Sequence, residues 1–325
     1  MPREKFYQYI VDSIKRKTKK RNIDNISRTQ SYASFYEKHP EIKWSFLASM
    51  VSRNAGWSMT DLAGIWYQKA LASDIRESLF LTYEKANWLI FSDAYPQLLI
   101  YELSKKYRKP LFFLLKHFNV SKFMIEEWNR YFVEKNHEHL LMALIINEQN
   151  VIQKPVLEQK EFVKNIFHTF PYRFQDFFHF STVLFPTLDG KLYGCSVVKF
   201  RDLKKRIYLG KCLASILFHP LYYERFFQFS KLVTHTGSRY DYEKFFPNTL
   251  NRDTPYLRTT YSIISHDIDE RKEDWFHNQS LTKLFKPIKR PKHLELTNWY
   301  MRKRQQLRMI CMLEEYLKIH KETST

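Results

Sequence analysis

Six glycines in 325 residues constrain this chain more than any other single feature. Glycine supplies the positive-φ positions of tight hairpin turns and the close backbone approach of phosphate-cradling loops. Its usual share is roughly 7%. A chain this poor in glycine is expected to form long helices joined by short connections. Aromatic residues, at 17%, supply the apolar surface that disordered chains lack. The expected architecture is mainly α. It is a multi-helical globular protein of two packed helical lobes, with at most one small β-hairpin near 182–200.

The punctuation of the chain places the helices. Phe6, Ile10 and Ile14 repeat at helical spacing and predict a basic amphipathic helix within residues 1–24. Ser27 is a candidate cap for the next helix, and Pro40 a candidate start for another that Gly56 would end. Residues 74–105 read as helix, with Pro96 as a kink or break. Pro110, Ser121 and Asn136 open further helices, and Pro155 marks a boundary. The expected units are therefore 1–24, a lobe over 25–155 and a second lobe over 156–325. In the second lobe helical patterns lie at 159–170, 201–218 and 220–233. Asp189-Gly190 is a hairpin turn pair between two β-prone stretches. From about Leu296 a last helix should carry Trp299, Leu307, Ile310, Leu313 and Leu317 as its apolar stripe.

The net charge of +19 is concentrated at the two ends. Residues 1–21 hold eight Lys or Arg against Glu4 and Asp12, ending in Lys15, Arg16, Lys17, Lys19, Lys20 and Arg21. Residues 283–308 hold nine basic residues against Glu295 alone, among them Lys289, Arg290, Lys292, Arg302, Lys303 and Arg304. Cations at a helix C-terminus complement its dipole. The same arrangement can bind nucleic-acid phosphates or an anionic membrane surface. Trp299 and Tyr300 could stack on bases or simply pack the last helix onto the body. A smaller excess lies at Arg201, Lys204, Lys205, Arg206 and Lys211.

Three apolar runs carry polar groups that a core must pair or hydrogen-bond. They are Arg53 with Asn54, Asp93, and Asn147 to Asn150 with Glu148 among them. Arg53 with Asp93 or Glu148 is the natural pairing. Such groups either fix one helix arrangement or line a ligand pocket. The loop His235-Thr-Gly-Ser-Arg-Tyr-Asp-Tyr gathers His235, Ser238, Arg239 and Asp241 around Gly237. Gly-Ser-Arg there could hold a phosphate or carboxylate, or the segment could be a plain capped turn.

No Walker loop, dinucleotide Gly motif, nucleophile elbow or zinc spacing is present. Glu134 and His137 have the Glu-x-x-His spacing of di-iron sites but lack a matching second pair. Cys195, Cys212 and Cys311 read as free thiols. No cofactor or metal is expected. The longest apolar run falls far short of the ~20 residues of a membrane span, and a cytoplasmic location is expected.

Four strings, NISRTQSYASFYEKHPEIKWSFLASMVSRNAGWSM (25–59), ANWLIFSDAYPQLL (86–99), ALIINEQNVI (143–152) and HTGSRYDY (235–242), resemble the YppC-like family of uncharacterised proteins from Bacillus and related bacteria. The resemblance implies a bacterial cytoplasmic protein and supplies no activity or catalytic residue.

Three functional readings follow. The first is a nucleic-acid-associated protein that contacts phosphates through its terminal segments. The second is an enzyme acting on an anionic or phosphorylated substrate, with Arg53, Asn54, Asp93, Glu148, His235 and Arg239 around one pocket. The third is a peripheral membrane or scaffold protein held by its N-terminal helix. The ligand and the oligomeric state are not written in the sequence.

Overall fold

The computed structural model describes residues 3–158, 182–196, 202–247, 252–266, 273–289 and 294–322. Its elements, among these residues, are α1 (Arg3–Arg21), α2 (Asn25–Lys38), α3 (Lys43–Asp61), α4 (Ile65–Ala70), α5 (Ser73–Tyr107), α6 (Lys122–Glu134), α7 (His137–Val151), α8 (Leu203–Leu217), α9 (Tyr223–Leu232) and α10 (Thr297–Glu322), with one hairpin of β1 (Thr182–Pro186) and β2 (Leu192–Ser196). A 3-10 helix of about two turns occupies Phe112–Phe118 and a π-helical turn Gln153–Leu157, and single helical turns occupy Tyr240–Glu243, Leu257–Thr260 and Thr282–Phe285. The fold is mainly α with one small antiparallel hairpin.

Local signals account for several boundaries. Ser121 and Asn136 cap α6 and α7 by accepting from the backbone N–H groups of Met124 and His139. Gly190 turns the hairpin at φ +77, and Thr182 pairs with Ser196 and Phe185 with Tyr193. The segment Leu294–Leu296 adds to the free edge of β2, with Gly194 N–H donating to Leu294 O and Leu296 N–H to Leu192 O.

Other boundaries differ from the sequence expectation. Asp24, not Ser27, caps α2, its carboxylate accepting from Ser27 N–H at 2.7 Å. Pro40 does not open α3, which begins at Lys43. Gly56 does not end α3, which runs on to Asp61. A Cβ at position 56 would meet Asn25 Oδ1 and stand 2.7 Å from His235 Nε2. The glycine is there for close packing, not for capping. Pro96 does not break α5, which continues from Ser73 to Tyr107. Proline removes one hydrogen bond there, while Phe91, Ala94, Leu98 and Ile100 around it are all buried. The helix expected at 159–170 lies outside the described residues.

One hydrophobic core runs through residues on both sides of position 155. It joins Ile10, Val11 and Ile14 of α1 to Trp44, Met50, Phe91, Trp128 and Leu144, and these to Leu213, Phe226 and Tyr300. A smaller cluster, with Met59, Leu62, Tyr67, Phe80, Leu257, Leu307 and Cys311, fastens α10 to α4 and the end of α3. Tyr300, Leu307 and Cys311 are buried positions of α10, whereas Leu313 is 58% exposed. Of the expected stripe, Leu307 is buried and Trp299 and Ile310 are half-buried, Leu313 is exposed, and the side chain of Leu317 lies outside the described residues.

Candidate functional site

The polar residues singled out in the sequence fall into three networks, the first and third joined through Thr236, Ser238 and Thr254. The first surrounds the end of α3. Arg53 is buried and donates to the carbonyls of Val233 at 2.9 Å and Ser230 at 3.3 Å. The expected pairing with Asp93 or Glu148 is not made, because α9 and the residue after it deliver two carbonyl oxygens to the guanidinium. Burial pulls the Arg53 pKa down to about 10. Asn54 donates to Leu184 O at 2.7 Å and accepts from Leu184 N–H at 2.8 Å, so it binds the hairpin to α3 in place of a β-partner. His235, 3% exposed, lies 2.8 Å by Nε2 from Asn25 Oδ1 and 3.4 Å by Nδ1 from Asp241 Oδ2. Burial holds its pKa below the ordinary histidine value. Asp241 also accepts from Trp57 Nε1 and from Thr236 N–H.

The second network lies between α5, α6 and α7. Asp93 accepts from Gln97 at 2.7 Å and Asn147 at 2.6 Å, and Gln97 in turn accepts from Trp128 Nε1 at 2.9 Å. Asn147 Oδ1 accepts from Ser121 and Trp275. Glu148 is half-buried and accepts from Trp44 Nε1 at 3.2 Å and Gln149 at 2.9 Å. Burial pushes its carboxyl up to about 7. Arg206 is buried against the same helix, donating to Gln149 Oε1 and O and to Gln153 Oε1. Lys211 is buried as well and donates to the carbonyls of Leu284 and Lys286. These two members of the basic cluster at 201–211 are interior residues, and Arg201 lies outside the described residues.

The third network clamps α10. Arg239 pairs with Asp61 at 2.6 Å and donates to Tyr242 Oη at 2.6 Å. Tyr300 Oη donates to Glu243 at 2.5 Å, and Arg304 pairs with both Glu243 and Asp253. Arg308 and Trp66 Nε1 share Asp253 at 3.2 and 3.0 Å. Burial pushes the Asp61 carboxyl up to about 7, against the pull of Arg239. Asp61, Glu243 and Asp253 face Arg239 and Arg304 around a cavity of about 40 Å³, which admits little more than a few waters. Ser238 is fully buried and bonded to Thr254. The 235–242 loop is thus a capped turn whose Ser238 and Arg239 are engaged internally. Arg304, expected on a phosphate-facing surface, is 8% exposed and belongs to this clamp.

A cleft of about 620 Å³ opens elsewhere, between the start of α2, the end of α3, α5 and the segment after Leu257. None of the six residues expected around a shared pocket lines it. Its charged groups are matched internally. Arg28 holds Glu84 in a two-pronged pair at 2.5 and 2.8 Å, and Arg258 holds Asp24 at 2.7 Å. No group of three or more His, Cys, Asp or Glu among the described residues could hold a metal.

The basic surface is of a different character. Lys15, Arg16, Lys17, Lys19, Lys20 and Arg21 are all exposed. Ile10, Val11, Ile14 and Thr18 on the opposite face are buried against α5 and the Phe112–Phe118 helix. The start of α1 meets a second basic group, at the end of α5. Lys105, Lys106, Tyr107, Arg108 and Lys109 are exposed there, and Lys105 alone among these cations pairs with an acid, Glu41 at 2.5 Å, among the described residues. Phe6 packs edge-on against Tyr107 at 5.8 Å, and Tyr7 against Phe113 at 5.1 Å. Arg108 takes the left-handed C-cap conformation at φ 53, which turns the chain beside α1. The run of four cations in five residues is visible in the sequence, but its closeness to α1 is not. At the other end of the chain, Lys289 and Arg302 are exposed, Lys303 is half-buried, and Arg290 and Lys292 lie outside the described residues. No helix among the described residues is long and apolar enough to cross a membrane.

Residues 20–301 match a family described as a protein of unknown function, DUF2515. The uncharacterized protein YppC of Bacillus subtilis (strain 168) is 51% identical over 309 residues, which cover 95% of this chain and 96% of that protein. No solved structure matches.

Proposed function

We propose that this chain, which belongs to the DUF2515 family of proteins of unknown function, is a cytoplasmic nucleic-acid-associated protein that grips the phosphate backbone through α1 and the 105–109 corner of α5. The observation that carries this reading is the division of labour on α1. Its apolar face is taken up by the protein's own core, so the helix has no spare apolar stripe to insert into a bilayer. Its six distal cations remain exposed. Cations so placed gain most from displacing the counterions condensed on a nucleic acid, a gain that is independent of sequence and sensitive to salt. The exposed aromatic rings of Tyr9 and Tyr107 beside them suit the interleaving of charge and stacking seen in single-strand binders. The second terminal block contributes less than its composition suggests, since Arg304 and Arg308 are held by Asp253.

The test is fluorescence anisotropy with a labelled 20-mer across a salt series. Binding should weaken linearly in log–log form as salt rises. Arg16→Glu with Lys20→Glu should reduce the slope by about one for each phosphate that is no longer gripped. Absence of binding to any strand at low salt would remove the reading. Binding to anionic vesicles but to no nucleic acid would replace it with a membrane-surface role.

A further inference from the structure

Between α1 and α5 runs a groove of about 230 Å³, walled by Phe6, Tyr9, Ser13 and Lys17 from α1 and by Glu102 and Tyr107 from α5. We infer that this groove receives an unstacked base, so that the preferred partner is a single-stranded nucleic acid and not a duplex. The inference rests on the phosphate-binding reading above and adds to it the form of the nucleic acid.

Five observations support it. Ligand pockets for cofactor-sized molecules span roughly 300–1,000 Å³, so this groove suits one planar ring system. Tyr9 and Tyr107 are 60% and 48% exposed, and such rings offer a stacking face to any base. Tyr107 meets Phe6 in an edge-to-face pair at 5.8 Å and lies 5.9 Å from the Lys106 ammonium. The groove also leads directly into the cations. Tyr9, Ser13, Lys17 and Arg21 recur at four-residue spacing along one side of the helix, where such residues are neighbours. A strand whose base sat on Tyr9 would thus run its phosphates past Lys17 and Arg21. Glu102, in the wall, disfavours a phosphate inside the groove while offering an acceptor to a base amino group. A duplex cannot use the groove, because its bases are already stacked and paired.

The experiment compares a single-stranded 20-mer with the duplex of the same sequence, at one low salt concentration, for the full chain and for Tyr9→Ala and Tyr107→Ala. Single-strand binding should be tighter for the full chain, and each substitution should weaken it roughly tenfold. A Tyr9→Trp variant supplies a second readout, since its fluorescence should be quenched by the single strand and not by the duplex. Equal affinity for the two forms, with no quenching of Trp at position 9, would overturn the groove inference. If charge reversal at Arg16 and Lys20 still abolished binding in that case, the phosphate-binding reading would stand without it. If neither form bound at all, that broader reading would fail first.

Discussion

At the scale of single residues, the buried charges are instructive because each is settled differently. Arg53 is solvated by two backbone carbonyls, Arg28 by a carboxylate, and Arg206 by two glutamines and a carbonyl. Glu148 accepts from the neutral donors Trp44 and Gln149, and burial raises it to about 7. An ordinary glutamate, near 4.3 in an unfolded chain, then releases its proton before the folded one does. Between about pH 4.5 and 7 the native state binds more protons than the unfolded state, so this group makes stability fall as pH rises through that window and stay level above it. His235 acts in the opposite sense, since its lowered pKa favours the native state as pH rises past the folded value toward the unfolded one. Comparing variants separates the two. Glu148→Gln should remove on the order of 1–2 kcal/mol of the loss between pH 5 and pH 8, read by urea unfolding at both values. Identical pH profiles for the two proteins would mean that Glu148 is ionised in the fold at neutral pH.

At the scale of elements, few apolar side chains of α10 are buried among those described. Tyr300, Leu307 and Cys311 are its buried apolar anchors, and Met309, Met312, Leu313 and Tyr316 are each more than half exposed. The clamp built on Glu243 and Asp253 therefore carries a large share of its attachment. Removing one partner of an isolated buried ion pair costs about 3–5 kcal/mol; Asp253 is half-buried and Arg304 keeps Glu243, so the cost here should be smaller. Asp253→Asn strips that charge from Arg304, Arg308 and Trp66 together. Amide exchange should then accelerate across α10 while α7, enclosed by α3, α5, α6 and α8, keeps its protection. Uniform acceleration over both helices would show instead that α10 unfolds only with the whole molecule.

At the scale of the molecule, α1 is an integral part of the core and not an appended basic arm. Ile10, Val11 and Ile14 each bury at least 95% of their surface, and burying such a side chain contributes roughly 1.5–3 kcal/mol. Deleting residues 1–21 should therefore lower stability by about 5 kcal/mol, a large part of the roughly 5–15 kcal/mol available to a domain. Thermal unfolding would register it as a melting temperature lower by many degrees. A truncated chain that melted with the full-length one would identify α1 as a detachable tail. The same arithmetic explains why substitutions of exposed cations, and not truncation, are the proper probes of the surface.

Much of the helical plan is legible in the sequence because its signals are local. Ser121 and Asn136 cap the helices they were expected to open, and Asp189-Gly190 turns the hairpin between the expected strands. These depend on a few adjacent dihedrals and hydrogen bonds. The misread signals are those whose meaning is set by distant neighbours. Gly56 resembles a helix stop until Asn25 and His235 are seen against it. Pro96 resembles a break until the burial of its helix is known. Composition determined that cations crowd both ends of the chain, but only the tertiary structure separated them. It drew Arg304 and Arg308 into a clamp with Asp253 and left the cations of α1 on the surface. The physical reason is that a charge's role depends on which carboxylate lies within a few ångströms. In α10 that partner is Asp253, some fifty residues away, and no local pattern encodes that distance.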